Sequence, residues 1–234
     1  TSAGRFSEKN HPEIVTFCRS TGLRKTELSA LRGCQLQYND GPAYYENYSG
    51  MVCRYREVTG KAPKEIKSAP LRALVPSGDY LIIHGKGGRV RCAPVLPEGA
   101  QLVRDLCRKA GGGKVWKRLP SNLDAHSYRA QYARAVYASL ERNLSDIQEG
   151  GTLADINKME IPGVKKEALV EFYQSHVLEL LDVADPSALP IPRSEVYFCR
   201  VDLKGRSYDK VAMSAASEAL GHSRISVVAS NYFV

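Results

Sequence analysis

Two arginines lie in sequence patterns that suit the binding of a phosphate-like anion. Arg24 belongs to the segment TGLRKTEL and starts a predicted helix, where its guanidinium and free backbone N–H groups can face one anion. Arg129 follows His126 by three positions in a predicted helix, so we expect imidazole and guanidinium side by side. A base or proton donor beside a permanent cation suits a phosphate in a strained transition state. Taken alone, the Arg24 pattern is more typical of a surface arginine beside a capped helix than of an anion site. The pair of His126 and Arg129 is as typical of a surface pair as of a phosphate site.

Three further residues have side chains that could take part in the same chemistry. Lys86 lies in GKGG between two β-rich runs, a predicted hairpin with a small turn, although a solvated turn is the commoner interpretation. The Walker pattern of phosphate-binding loops is missing from this segment. His222 belongs to the tripeptide LGH, and Tyr232 comes ten positions later. Because Gly221 ends one predicted helix and the next begins near Ser226, we expect the two side chains to meet across a bend. A packed C-terminal aromatic is the default interpretation of a tyrosine at this position.

Taken together, these patterns resemble the tyrosine recombinase (phage integrase) family. Its signature is an arginine in T-G-L-R-x-x-E-L, a hairpin lysine in G-K-G-G, an H-x-x-R helix, L-G-H and a terminal tyrosine. The resemblance covers most of residues 9–234, and residues 197–233 also look like integrases of conjugative transposons. The matching positions, all in family order, are Arg24, Lys86, His126, Arg129, His222 and Tyr232.

The resemblance implies covalent chemistry on DNA. Tyr232 would attack a scissile phosphate, leaving a 3′-phosphotyrosine and a free 5′-hydroxyl that then attacks the phosphotyrosine of a partner strand without ATP. Arg24 and Arg129 would clamp the non-bridging oxygens, which carry extra negative charge in the transition state. An unperturbed tyrosine hydroxyl, with a pKa of about 10, is a poor nucleophile at neutral pH and needs cationic neighbours or a base.

The resemblance also assigns the other three side chains. Lys86 would act as the general acid that protonates the leaving 5′ oxygen, and His126 would assist as a base or hydrogen-bond donor. His222 would hold a phosphate oxygen. No metal and no cofactor are required, and the sequence has no cluster of carboxylates with metal-ligand spacing.

The elements that must position these residues indicate an α+β fold, mostly α-helical with a small antiparallel β-sheet. Residues 39–79 show no firm period and are expected to be irregular, with one possible helix or strand. The predicted strands are Cys34–Tyr38, Tyr80–His84, Arg89–Val95 and a ribbon over Tyr197–Asp209 with its bend at Gly205. The predicted helices are His11–Ser20, Thr26–Arg32, Leu96–Ala110, Asp124–Leu140, Lys165–Leu181, Lys210–Leu220 and a final helix from about Ser226.

The net positive charge points to a polyanionic partner, and its uneven distribution separates an acidic segment from a basic remainder. The net charge is +8, but residues 141–190 contain ten acidic and four basic residues. We therefore treat residues 141–196 as an acidic helical insertion in the catalytic domain 1–234, and we expect it to lie away from DNA. The insertion explains why Arg129 and His222 are farther apart than in compact family members. The spacing from His222 to Tyr232 is one residue longer than usual, which a bend could absorb.

The expected partners are double-stranded DNA, further copies of the chain in a tetramer on paired sites, and accessory DNA-bending or excision factors. The DNA-clamping core-binding domain of the family is expected upstream, outside this chain, so residues 1–234 alone should bind DNA weakly. The six cysteines show neither a C-x-x-C pair nor zinc-ligand spacing, so we predict reduced, mostly buried thiols in a cytoplasmic, nucleoid-associated prokaryotic protein. No run of about 18 apolar residues predicts a membrane helix.

Three other functions fit part of the pattern. A type IB topoisomerase uses a similar set of catalytic residues but relaxes supercoils as a monomer. A non-catalytic DNA-binding regulator could use the same scaffold, although intact Arg24, Arg129 and Tyr232 argue against it. A basic RNA-binding module lacks the aromatic sheet signature of common RNA-binding folds.

Overall fold

The computed structural model shows a mixed α+β protein of helices and small antiparallel sheets. It describes residues 6–40, 43–46, 55–61, 72–75, 77–86, 90–145, 151–152, 167, 190–191, 196–199, 203–222 and 224–233. The chain divides into two compact units. The first comprises Thr1–Tyr132 and Ala219–Gly221, and the second comprises Ala133–Glu218 and His222–Val234.

The first unit begins with two helices, α1 (Pro12–Thr21) and α2 (Lys25–Ala30). Proline at the first position of α1 costs no hydrogen bond there. Helix α1 ends at Gly22, whose φ of 59° is left-handed. A Cβ at Gly22 would also collide with the ring of Tyr132, so only glycine fits. Both helices were predicted from the sequence, and the prediction is confirmed to within one or two residues at each end.

A three-stranded antiparallel sheet lies in the same unit. The strands of the unit are β1 (Leu36–Asn39), β2 (Ala43–Glu46), β3 (Arg72–Val75), β4 (Gly78–His84) and β5 (Val90–Pro94). The sheet has the order β1-β4-β5, with Ile83 opposite Arg91. The predicted hairpin is confirmed in β4 and β5, whereas residues 87–89 of its turn lie outside the described residues.

Residues 39–79 contain more regular structure than we predicted. Strands β2 and β3 pair with each other, and residues 55–59 are helical. Elements of four or five residues are too short to show a hydrophobic period in the sequence, which explains why the prediction of irregular structure was incomplete here.

The core of the first unit joins the helices to one face of the sheet. A 3-10 turn at Pro97–Gly99 leads into α3 (Ala100–Ala110), and α4 (Ala125–Leu140) begins in this unit. Helix α3 contributes Val103 and Cys107, four positions apart on one face. The buried cluster includes Ile14, Val15, Phe17, Leu23, Leu28, Leu31, Leu81, Ile83, Ala93, Leu123 and Tyr128.

The second unit contains the rest of α4 and the C-terminal elements. The ribbon predicted over Tyr197–Asp209 is present as β8 (Val196–Phe198) and β9 (Ser207–Asp209), with Gly205 at a left-handed φ of 89°. They are followed by α5 (Lys210–Ala219) and α6 (Ile225–Tyr232). Within the acidic insertion, β6 (Gly151–Thr152) pairs with β7 (Pro190–Ile191). The helix predicted over 165–181 lies outside the described residues except for Glu167.

The thiols of the described cysteines are free and mostly buried. Cys18, Cys92, Cys107 and Cys199 are buried and Cys34 is partly buried, whereas Cys53 lies outside the described residues. Burial raises the pKa of Cys18 and of Cys107 to about 12, which makes both thiols unreactive at neutral pH.

The described residues lack two further features, a membrane-spanning helix and a cluster of metal ligands. No helix there has both the length and the apolar character to cross a bilayer. Nor do these residues contain a group of three or more histidine, cysteine or acidic side chains placed to hold a metal ion.

Candidate active site

Arg24 lies immediately before α2, as predicted, but the anion that it faces belongs to the protein. Its backbone N–H donates to Oε2 of Glu27 over 2.8 Å, and its guanidinium donates to Oε1 over 2.9 Å. Of the N–H groups expected to be free at this helix start, that of Arg24 is therefore already bonded. The third residue of α2 supplies a carboxylate that reaches back to the helix start, which is the usual way to satisfy such a donor. The side chain of Arg24 keeps 28% of its surface exposed.

Arg91 is a second guanidinium on the same carboxylate, and sequence reasoning missed it. It lies in β5 and donates from NH2 to Oε2 of Glu27 over 2.8 Å, with both side chains buried. Its Nε and NH1 atoms have no hydrogen-bond partner in the part of the chain that the structure describes. The available signal was an arginine inside the run VRCAPV, because a charged residue in a buried strand needs a partner.

Arg129 is buried as well, with 1% of its surface exposed. Its NH1 donates to the carbonyl of Gly22 and its NH2 to the carbonyl of Leu220. Gly22 ends α1 and Leu220 directly follows α5, so both carbonyls lie where helix termini carry partial negative charge. Arg129 thus connects the TGLR segment with the first residue of LGH.

We define the arginine cluster as Arg24, Arg91, Arg129 and Glu27, of which Arg24 and Arg91 form ion pairs with the Glu27 carboxylate. Burial alone would raise the pKa of Glu27, but the charges of the three arginines and the backbone N–H of Arg24 hold it below its usual value. Burial lowers the pKa of Arg91, although an arginine remains protonated in proteins. The described part of the cluster thus places positive charge from the sites of Arg24 and Arg91 directly on one buried carboxylate.

The lowered pKa of Glu27 predicts a pH dependence of stability. A carboxyl with a depressed folded pKa stabilises the protein above its unfolded pKa of about 4.3, and this contribution is lost as pH falls through the folded pKa. At pH 7 we expect Glu27→Gln to lower the free energy of unfolding by about 3–5 kcal/mol, because Arg91 would keep a buried unpaired charge. Urea unfolding at a series of pH values should show the gap between wild type and variant narrowing below about pH 4. A gap that is constant with pH would contradict the assigned ionisation.

Lys86 and His126 are both exposed in the first unit. Lys86 follows β4, and the remainder of its turn lies outside the described residues, so its role stays a prediction. His126 is in the first turn of α4, and Arg129 is one turn further along. We expected the two side chains side by side, but the imidazole is exposed and the guanidinium is buried. Two side chains that are three positions apart leave a helix in directions about 60° apart. One of them can therefore face the core while the other faces solvent.

In the second unit, His222 and Tyr232 meet as predicted. The Nε2 atom of His222 lies 3.2 Å from Oη of Tyr232, within hydrogen-bond distance. His222 lies before α6 and Tyr232 is its last residue, while the bend between α5 and α6 brings the two rings within 5.6 Å of each other. Tyr232 is 5% exposed. Their catalytic roles remain predictions.

The last turn of α6 has two further anchors in the second unit, which sequence reasoning did not identify. Arg134 donates from NH1 to the carbonyl of Tyr232 over 2.9 Å. The ring of Phe233 contacts those of Tyr137 and Tyr208 edge-on, at centroid distances of 5.1 and 5.3 Å. These contacts fix the backbone that carries the Tyr232 hydroxyl.

Two features of Gly221 predict that replacing it lowers the stability of the protein. Its φ of 71° is left-handed, and a Cβ there would collide with the side chain of Arg91. We expect Gly221→Ala to cost more than the roughly 1–2 kcal/mol of the backbone conformation, because Arg91 is buried and cannot yield. Gly60→Ala is the matched control, since Gly60 has a φ of 66° and open space around it. Equal shifts of the urea midpoint in the two variants would show that the contact with Arg91 does not matter.

Comparisons with protein-family models, with curated proteins and with solved structures found no match to this chain.

Proposed function

We propose that this chain is the catalytic domain of a tyrosine recombinase, a site-specific DNA integrase that cuts and rejoins strands during integration or excision of a mobile element. The observation that carries the proposal is the arginine cluster, in which Arg24 and Arg91 form ion pairs with one buried carboxylate and the charge of Arg129 also lowers its pKa. A scissile phosphate is the anion that we propose these guanidiniums bind. Two members of the cluster, Arg24 and Arg129, are the arginines of the TGLR and HSYR motifs.

The proposed reaction is a transesterification. The Oη atom of Tyr232 forms a bond with phosphorus while the bond from phosphorus to the 5′ oxygen breaks, which leaves a 3′-phosphotyrosine. Arg24 and Arg129 stabilise the charge on the non-bridging oxygens. Since Arg129 donates to two carbonyls, we expect a bound phosphate to compete with Gly22 and Leu220 for its guanidinium. In the reverse half-reaction, a 5′-hydroxyl of a partner strand attacks the phosphotyrosine and releases Tyr232.

The remaining side chains supply protons and hydrogen bonds. Lys86 is proposed as the general acid for the leaving 5′ oxygen, with His126 as an assisting base or donor. His222 is proposed to hold a phosphate oxygen next to the nucleophile, a role supported by its 3.2 Å separation from Oη of Tyr232.

The experiment that tests the function is incubation with a suicide half-site oligonucleotide, followed by denaturing electrophoresis. A recombinase traps the DNA covalently, because the short strand with the free 5′-hydroxyl diffuses away and religation fails. A band shifted by the mass of the oligonucleotide is the expected result. Binding without such a band would favour the non-catalytic regulator. Relaxation of supercoiled plasmid by a monomer that lacks paired sites would favour the type IB topoisomerase.

A further inference from the structure

The loop between α3 and α4 has an unusual distribution of charge. Residues 106–123 contain five basic residues and no acidic residue. Within the loop itself, which we call the basic loop (residues 111–124), Lys114, Lys117 and Arg118 are all exposed. Three cations thus lie within five positions on one surface segment of the first unit.

The basic loop is held firmly against the core. The N–H of Val115 donates to the carbonyl of Leu31, and the N–H of Cys34 donates to the carbonyl of Gly111. Trp116 contacts Phe17 edge-on at a centroid distance of 5.4 Å. Val115, Trp116 and Leu119 pack against the buried cluster. Since apolar anchors alternate with the exposed cations, the cations are presented on a fixed backbone and little conformational entropy is lost when they bind a partner.

The cations of the basic loop differ from the neighbouring arginines of α3. Arg104 pairs with Asp79 over 2.7 Å, and Arg108 pairs with Asp105 over 3.3 Å. Lys114, Lys117 and Arg118 form no ion pair with a carboxylate within the described ranges. Their charges are therefore available to an external anion.

The basic loop also connects to the arginine cluster. The Nζ atom of Lys25 donates to the carbonyl of Ser121 in the loop over 2.5 Å, and Lys25 is the neighbour of Arg24 in the chain. Positive charge thus continues from the exposed loop, through Lys25, to the arginine that is proposed to bind the scissile phosphate.

We propose that the basic loop binds the phosphate backbone of double-stranded DNA beside the scissile position, without reading base sequence. The inference rests on the proposed function only in taking duplex DNA as the partner. Lysine and arginine heads on a fixed surface match a polymer that carries one negative charge per roughly 1.7 Å of helix axis. Contacts of this kind give affinity and orientation, not sequence preference.

The test is the salt dependence of binding to a short DNA duplex of arbitrary sequence. The variant Lys114→Gln, Lys117→Gln, Arg118→Gln removes three phosphate contacts, so the slope of log K against log salt should become less steep by about 2–3. At 0.1 M salt this corresponds to binding that is roughly 100-fold or more weaker. The matched control is Lys9→Gln, Arg56→Gln, Lys61→Gln, which removes the same number of lysines and arginines from exposed positions of the same unit. The control should keep the wild-type slope.

Each outcome is decisive and is separate from the outcome of the trapping assay. Equal slopes for the loop variant and the control would overturn the inference, as would absence of duplex binding by the wild-type chain at low salt. Weakened binding of an RNA hairpin or of anionic vesicles, with duplex binding intact, would overturn it as well. If the slope changes while no covalent adduct forms, the surface assignment stands and the proposed catalytic function fails. If an adduct forms while the slope is unchanged, the proposed catalytic function stands and the DNA-binding role of the basic loop fails.

Discussion

Replacing Tyr232 by phenylalanine is expected to abolish the covalent protein–DNA adduct while the second unit stays folded. The substitution removes one oxygen, which lies 3.2 Å from Nε2 of His222, and keeps the buried ring. Loss of one neutral hydrogen bond costs only about 1 kcal/mol. The aromatic contacts of Phe233 and the bond from Arg134 to the carbonyl of Tyr232 do not involve the hydroxyl. A missing adduct therefore reports lost chemistry.

The measurement is the suicide half-site assay on wild type and variant, with circular dichroism as the check of folding. Tyr208→Phe is a matched control, since it removes a tyrosine hydroxyl elsewhere in the same unit and should trap DNA like wild type. Arg24→Ala should slow trapping about 10²–10³-fold, by analogy with removal of one oxyanion-hole donor. An adduct formed by Tyr232→Phe at the wild-type rate would contradict the assignment of Tyr232 as the nucleophile, because another of the thirteen tyrosines would then have to act.

The largest loss of stability is expected from Asp209→Ala in the second unit. Both carboxylate oxygens of Asp209 bind the guanidinium of Arg142, at 2.8 and 2.9 Å, and both side chains are fully buried. The carboxylate also accepts the N–H groups of Arg142, Val211 and Ala212, so it caps the first turn of α5. Removing it leaves a buried guanidinium without its counter-ion, which costs about 3–5 kcal/mol. Loss of the cap adds about 1 kcal/mol.

Urea unfolding followed by far-ultraviolet circular dichroism checks this prediction. Asp105→Ala is the matched control, because Asp105 pairs with Arg108 at the surface, and such a pair contributes roughly 0–1 kcal/mol. Asp209→Asn keeps most of the cap and loses the charge, so its stability should lie between that of wild type and Asp209→Ala. If Asp209→Ala is no less stable than Asp105→Ala, the buried ion pair does not support the second unit.

The effect of Asp209 should extend to the C-terminal helix. Its backbone N–H donates to the hydroxyl of Tyr137, and the ring of Tyr137 contacts Phe233, the residue after Tyr232. Buried ionic and aromatic contacts thus form a continuous path within the second unit, from the start of α5 to the end of α6. Mutations along this path should affect the position of the Tyr232 hydroxyl without touching it.

Most of the local structure could be predicted from the sequence. Hydrophobic period, turn residues and caps indicated α1, α2, α3, α4, the β4–β5 hairpin, the C-terminal ribbon and the last two helices. The bend that brings His222 to Tyr232 was predictable for the same reason, because the two residues are ten positions apart and Gly221 lies between the helices. Signals of this kind act within a few residues, so they can be read from the order of the amino acids.

Which charges are buried, and which groups they contact, depends on how the helices and strands pack together. The partner of Arg91 is Glu27, 64 positions away, and the partners of Arg129 are carbonyls 107 and 91 positions away. No local period encodes such pairs, because they arise only when separate helices and strands pack together. For the same reason, the sequence placed His126 and Arg129 together on a helix, whereas packing made one exposed and the other buried. The amino-acid order by itself therefore determined the elements and the candidate residues, and the fold determined their electrostatic environment.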